Sequence, residues 1–176
     1  MSETTTQGLR TTLAELPAHA GTHLGYTPWR EMTQDEVDRF AELTGDHNFI
    51  HVDPERAAQT PFGGTIAHGF FGLSLVAVAS QQMEVTDAAT SVNYGLDKVR
   101  FPAPLPVGAH WRSGAELVEV SEIAGGMQAR VRATVEVRDS ERPAVVAECI
   151  VRFYASRTTH AADSQARLDA ERRRSA

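Results

Sequence analysis

The chain has 176 residues, enough for one domain with short tails. Lys plus Arg is 17 and Asp plus Glu is 23, a formal charge of −6, which disfavours nucleic-acid binding because that needs a basic face. A single cysteine, Cys149, excludes an internal disulfide framework and a cysteine-based zinc site.

The polar residues 1–7 read as a tail, with no basic start or apolar stretch to mark a signal peptide. Leu9, Leu13 and Leu16 recur at spacings of four and three, which predicts a short helix ending at Pro17. Gly21 and Gly25 then mark a loop. Thr33 is placed as an N-cap with Glu36 completing a capping box, Val37, Phe40 and Ala41 share one face of the next helix, and Gly45 ends it. Asp53 and Pro54 fit the cap and first turn of another helix. Pro61, Gly63 and Gly64 favour a loop.

The stretch Gly69 to Met83 is the most apolar helix candidate. Phe70, Phe71, Leu73, Leu75, Val76 and Val78 leave it no polar face, so it is expected to be the buried centre of the domain. Its longest apolar run, Gly69 to Ala79, falls short of the roughly 20 residues of a membrane span. From Ser91 onward the period becomes two. Tyr94 to Phe101, about Trp111 to Ile123, Met127 to Arg138 and Val145 to Phe153 read as strands, with Gly125-Gly126 and Asp139 to Pro143 as turns. The prolines at 102, 104 and 106 stop the first of them. The expected fold is therefore α+β, an antiparallel sheet curled around one helix. Residues 1–20 are assigned to a tail and short helix, 21–157 to the domain, and 158–176 to a polar tail in which Arg167 to Arg174 could form a frayed helix.

The densest polar cluster is Gly45-Asp46-His47-Asn48-Phe49-Ile50-His51. Asp46 and His51 converge on one water if the segment curls back, and either can move a proton near neutral pH. Asn48 is placed to orient the water or the substrate. The ordinary alternative is that Asp46 caps a turn and His51 satisfies a loop carbonyl. His68-Gly69 opens the apolar helix, where backbone N–H groups are unpaired and the missing side chain of Gly69 admits a ligand. Such a terminus stabilises a thioester oxygen as it gains charge. Close packing for Gly69 and a cap or core role for His68 are the alternatives. Asp46, His47, His51, Asp53 and His68 are conceivable metal ligands, but the expectation is no metal. Cys149 falls on an apolar strand face, and no P-loop or dinucleotide fingerprint occurs.

The segment Phe40-Ala-Glu-Leu-Thr-Gly-Asp-His-Asn-Phe-Ile-His51, followed by Ala67-His-Gly-Phe70, resembles the hydratase motif of MaoC-like dehydratases, the (R)-specific enoyl-CoA hydratases. Val92 to Pro104 resembles the branch that includes nodulation protein N. The resemblance covers about Trp29 to Ala155. It implies a hot-dog fold, a long helix wrapped in an antiparallel sheet. It also implies an acyl-CoA substrate, a homodimer with two sites at the subunit interface, and chemistry that needs no redox cofactor or metal. The lack of a signal peptide sets the expected location as the cytoplasm, and the acidic charge and short apolar run set the expectation of no nucleic-acid or membrane partner. The family's catalytic Asp and His fall on Asp46 and His51, its supporting Asn on Asn48, and the glycine whose N–H meets the thioester oxygen on Gly69. Phe49 departs from the family, where many members have proline. A hot-dog thioesterase is one rival, although Gly69 to Gln82 carries no Asp or Glu. A non-catalytic acyl-thioester binder is another.

Overall fold

A computed structural model describes residues 8–156 of the chain. The expected tails at 1–7 and 158–176, with the helix considered at Arg167 to Arg174, lie outside the described residues.

The alternating stretches form the sheet. The long strands are β5 (Ala88–Arg100), β6 (His110–Ile123), β7 (Gly126–Val137) and β8 (Val145–Ala155). With β2 (Thr22–Tyr26), they lie in the order β2-β6-β7-β8-β5, all antiparallel, and β3 (Arg30–Glu31) adds to β6. One face of β7 presents Ala129, Val131, Ala133, Val135 and Val137 to the core, and β6 and β8 add Trp111, Leu117, Val145, Ala147 and Phe153. Its other face carries Arg130 and Arg132, which pair with Glu119, Glu148 and Glu116 on neighbouring strands. A period of two separates the dry residues from the wet ones, as the sequence pattern predicts. Gly125 takes φ 80°, a turn geometry that glycine adopts without strain.

The helix expected across Gly69 to Met83 is two helices, α4 (Gly69–Ser74) and α5 (Val76–Ser80), preceded in the chain by α1 (Gln34–Thr44), α2 (Phe49–Val52) and α3 (Pro54–Ala57). At the junction the Leu75 N–H turns to the Gly72 carbonyl, 3.2 Å away, a tighter bond than the α-helical pattern. The Leu75 carbonyl accepts the Val78 N–H at 3.2 Å and, in addition, the hydroxyl of Ser113 on β6 at 3.0 Å. Leu75, Val76 and Ala79 are buried against the sheet, whereas Phe70 stands 75% exposed and Ser74 and Ala77 are also exposed. The apolar helix is thus covered on its sheet side and open on the other. Met83 belongs to strand β4 (Met83–Val85), not to the helix.

The short helix expected from Leu9, Leu13 and Leu16 is not formed. Leu9–Thr11 is strand β1, which pairs in parallel with β4, and Leu16–His19 is a single 3-10 turn. The leucines still face the core, but Thr11 and Thr12 are poor helix formers, and the Leu13 N–H goes to the Asp87 carboxylate at 2.7 Å. The loop expected around Gly21 and Gly25 contains β2. A register shift between His23 and Gly25 breaks the alternation that would reveal a strand. The capping box on α1 forms as expected: the Thr33 hydroxyl accepts from the Glu36 N–H at 3.3 Å, and the Glu36 carboxylate accepts from the Thr33 N–H at 3.1 Å.

Ser113 is wholly buried, and its hydroxyl serves the helix junction. Ser113→Ala should lower unfolding stability by about 1 kcal/mol, read as a lower urea midpoint at unchanged slope.

Candidate active site

The polar cluster is assembled by a succession of caps. α1 ends where Gly45 adopts φ 77° and returns its N–H to the Ala41 carbonyl at 2.8 Å, which turns the chain and releases Asp46. One oxygen of the exposed Asp46 carboxylate accepts the Asn48 N–H at 3.3 Å. Asn48 then caps α2, its side-chain oxygen accepting the Ile50 N–H at 3.3 Å. Asp53 caps α3 by accepting the Arg56 N–H at 3.1 Å. Asp46 and Asn48 therefore both have local turn duties, the ordinary alternative raised by their sequence.

These duties leave His51 in a defined place. It lies within α2, 7% exposed, and is pinned to the strap Thr65–Ala67. The Ile66 N–H donates to the Ile50 carbonyl at 3.0 Å, and His51 Nδ1 lies 2.7 Å from the Ile66 carbonyl. A carbonyl only accepts, so Nδ1 carries the proton and Nε2 of the neutral ring keeps the lone pair. The strap is fixed in turn, because the Ala67 N–H donates to Leu105 and the Val107 N–H to Thr65, at 2.8 and 2.9 Å. Gln34, at the start of α1, clamps both parts. Its amide nitrogen donates to the His51 carbonyl at 2.7 Å, and its oxygen accepts the Thr65 hydroxyl at 2.6 Å.

Burial pushes the His51 pKa below the usual imidazole range, the contact with Ile66 opposes the shift, nearby His68 adds to it, and Asp46 opposes it. The net effect is downward, so the ring is neutral at physiological pH. Asp46, His51 and His68 each offer one ligating atom, all within 4.8 Å of one another. The two imidazoles stack with centroids 3.8 Å apart and planes 27° apart. Each imidazole also has one ring nitrogen engaged by a backbone carbonyl, His51 Nδ1 by Ile66 and His68 Nε2 by Asp46, which leaves one ring nitrogen on each.

His51, His68 and Gly69 line a cavity of about 420 Å³ whose other walls are largely apolar, among them Ile50, Phe62, Ile66, Leu105 and Val145. Gly69 is the first residue of α4. The first helical bond runs from the Gly72 N–H to the His68 carbonyl at 2.9 Å, so the N–H groups of Gly69, Phe70 and Phe71 have no partner within the helix. The atoms nearest a Cβ at Gly69 would be those of the Phe101 ring, at 3.5 Å, an ordinary contact distance, so close packing does not enforce the glycine. His47 stays outside the cluster, exposed and 3.9 Å from Glu42, and Asp53 is occupied at its cap. Cys149 is buried on β8, and burial raises its thiol to about 11. His68, assigned a cap or core role as the alternative reading, makes no side-chain cap bond to α4 and instead joins the cluster.

Residues 15–140 match the MaoC like domain family. The chain is 52% identical to 3-hydroxyacyl-thioester dehydratase Z of Mycobacterium tuberculosis over 145 residues, covering 81% of this chain and 96% of that protein. It is 42% identical to nodulation protein N of Rhizobium leguminosarum bv. viciae, covering 78% of this chain and 88% of that one. Among solved structures, the (R)-hydratase from A. caviae involved in PHA biosynthesis superposes with a TM-score of 0.63 at 26% identity, over 75% of this chain and 94% of that one. The R-hydratase PhaJ1 from Pseudomonas aeruginosa, at 21% identity, shares the fold with a TM-score of 0.66 over 82% of this chain and 86% of that one.

Because His51 is buried and neutral, its imidazole should titrate below the ordinary value of about 6.5. An NMR titration of the His51 ring protons, assigned by their loss in His51→Ala, should place the midpoint there. A midpoint at or above the ordinary value would show that Asp46, and not burial, controls the ring.

Proposed function

Because this chain belongs to the MaoC-like family, we propose that it adds water to trans-2-enoyl-CoA thioesters to give (3R)-3-hydroxyacyl-CoA, and removes water in reverse. The observation that carries the chemistry is the bond from His51 Nδ1 to the Ile66 carbonyl, which leaves Nε2 as the basic atom of a buried neutral ring beside a carboxylate.

In this reading His51 Nε2 takes a proton from a water that the Asp46 carboxylate also holds. The hydroxide adds to Cβ while electrons move onto the thioester oxygen, where the Gly69 N–H meets the developing charge. The imidazolium, stabilised by Asp46, returns the same proton to Cα. One hydroxyl and one proton are thus added from the same face, and the dyad ends as it began. Asn48 acts by capping α2, which sets the spacing of Asp46 and His51. The apolar cavity takes the acyl chain. Nothing in this route requires a metal or a redox cofactor. A thioesterase reading is less favoured because α4 and α5 carry no carboxylate; the acid comes from the loop between α1 and α2.

The working form in this proposal is a homodimer. Strand β5 is a sheet edge of 13 residues whose only strand partner among the described residues is β8. Val92, Tyr94 and Leu96 on it are 41–58% exposed, and Phe101 and Phe70 extend the apolar surface. A long, exposed apolar edge is a template for pairing with a second chain. No helix among the described residues is long and apolar enough to cross a membrane, and the expected site of action is the cytoplasm.

Purified protein should consume the conjugated absorbance of crotonyl-CoA without releasing thiol. Asp46→Asn and His51→Ala should each lower kcat by about a hundredfold or more, and Gly69→Val by about a hundredfold, with circular dichroism unchanged. Thiol release would identify a thioesterase, binding without turnover an acyl-thioester carrier, and near wild-type hydration by a folded dyad variant would remove the assignment.

Sedimentation should give twice the 19.2 kDa chain mass. A fully active species at the single-chain mass would refute the dimer.

A further inference from the structure

The chemistry proposed above uses Asp46 and His51, yet a second imidazole is built into the same cluster. His68 is 3% exposed. As the N-cap of α4 it would be expected to satisfy the helix's free N–H groups, but its side chain makes no cap bond. Its Nε2 instead lies 2.9 Å from the backbone carbonyl of Asp46, so Nε2 carries a proton and donates it. Its Nδ1 is enclosed without a hydrogen-bond partner among the described residues. A serine or asparagine would cap the helix at less cost, since burying an unpaired polar nitrogen is unfavourable. Helix initiation therefore does not account for an imidazole here.

The ring's faces are also occupied. One lies on His51, at 3.8 Å between centroids. Phe40 of α1 packs on the ring at 5.0 Å, and Phe40 itself stacks on Phe71 of α4 at 5.0 Å. Among the described residues, the titratable groups clustered with His68 are Asp46, from the loop after α1, and His51, from α2; its ring neighbours Phe40 and Phe71 carry no charge.

We infer that His68 is a positioning residue for the acid–base pair, setting Asp46 through the hydrogen bond to its backbone and His51 through the stacked ring. The inference rests on the dyad assignment. Asp46 and His51 are each held by their own loop and helix, and His68 reaches both from a third element, α4. That element also carries the Gly69 N–H, so one residue ties the acid, the base and the proposed oxyanion donor into one frame. His68 also holds down the His51 pKa. Its removal should let that pKa rise, so the acidic limb of the kcat/KM profile should move to higher pH.

Two full-chain variants separate the two contacts. His68→Phe keeps a ring on His51 but cannot donate to Asp46. His68→Gln keeps an N–H donor but no ring. With crotonyl-CoA as substrate, His68→Phe should lower kcat about ten- to a hundredfold, the scale of a small misplacement, with KM changed about threefold at most. His68→Gln should recover part of that kcat. Both should shift the acidic limb of kcat/KM upward. A folded His68→Phe with wild-type kcat and an unmoved limb overturns the inference. So does a loss of kcat that follows melting temperature in both variants with the limb unmoved, since that is packing alone. If Asp46→Asn and His51→Ala abolish hydration while the His68 variants do not, only the positioning role fails. If the dyad variants remain active, the dyad assignment fails first.

Discussion

The contact on which the site depends is a hydrogen bond between a side chain and the backbone, that of His51 Nδ1 to the Ile66 carbonyl. An imidazole in an apolar wall resists protonation, and a free ring could present either nitrogen. The carbonyl removes that freedom by requiring the proton on Nδ1. Tautomer and ring orientation thus follow from the position of one strap of backbone. That strap is held by Leu105, Val107 and the Ile50 carbonyl, and Gln34 ties it to α1. This arrangement is set by the distance between two pieces of main chain, and the side chains follow from it.

The sheet makes such a strap possible. With β6, β7 and β8 fully paired and their outer faces laced by ion pairs, the inner face supplies a rigid apolar wall against which Leu75, Val76 and Ala79 pack. Segments before α4 can then spend their backbone bonds on one another and on the turn after β5, instead of on the sheet. The helix changes course at Leu75, whose carbonyl accepts both the Val78 N–H and the Ser113 hydroxyl, so β6 braces the junction. Exposed Phe70 and Phe101 sit beside Gly69 on the side that the sheet leaves open, so the proposed dimer surface and the cavity adjoin.

What was legible in the sequence follows from how local each cause is. The capping box at Thr33 and Glu36, the left-handed Gly45 and the alternation of β6 to β8 each depend on residues within one or two turns or along one strand, and the pattern exposes them. The N-terminal leucines misled because spacings of four and three serve a strand followed by a 3-10 turn as well as a helix. The choice was made by β4 and Asp87, more than seventy residues away. β2 was hidden by its register shift, and the break at Leu75 by a serine on another strand. The residue types Asp46, His51 and Gly69 were visible as a motif; that His51 and Gly69 line one cavity, with Asp46 beside His51 but outside the cavity lining, is a matter of geometry. His68 was visible as a cap or core residue and as a conceivable metal ligand, and its contact with Asp46 was not, because no spacing signals that a ring nitrogen will find a carbonyl 22 residues earlier in the chain.

Phe49 shows how such a framework tolerates a departure from the family pattern. Proline suits this position because Phe49 opens α2, where a backbone N–H has no helical partner and a fixed φ is compatible with the first turn. Losing proline therefore forfeits some preorganisation of the loop and no intrahelical hydrogen bond. Asn48 still caps the Ile50 N–H, so the turn that orients His51 keeps its anchor. The phenyl ring also gains a partner, the Arg56 guanidinium lying 4.2 Å above it, while Arg56 stays within 3.9 Å of Asp53. This cation–π contact joins α2 to α3 and stiffens the same segment from its outer side. The substitution thus replaces a covalent restraint on the loop by a packed one, and leaves the bond from His51 to Ile66 unaltered.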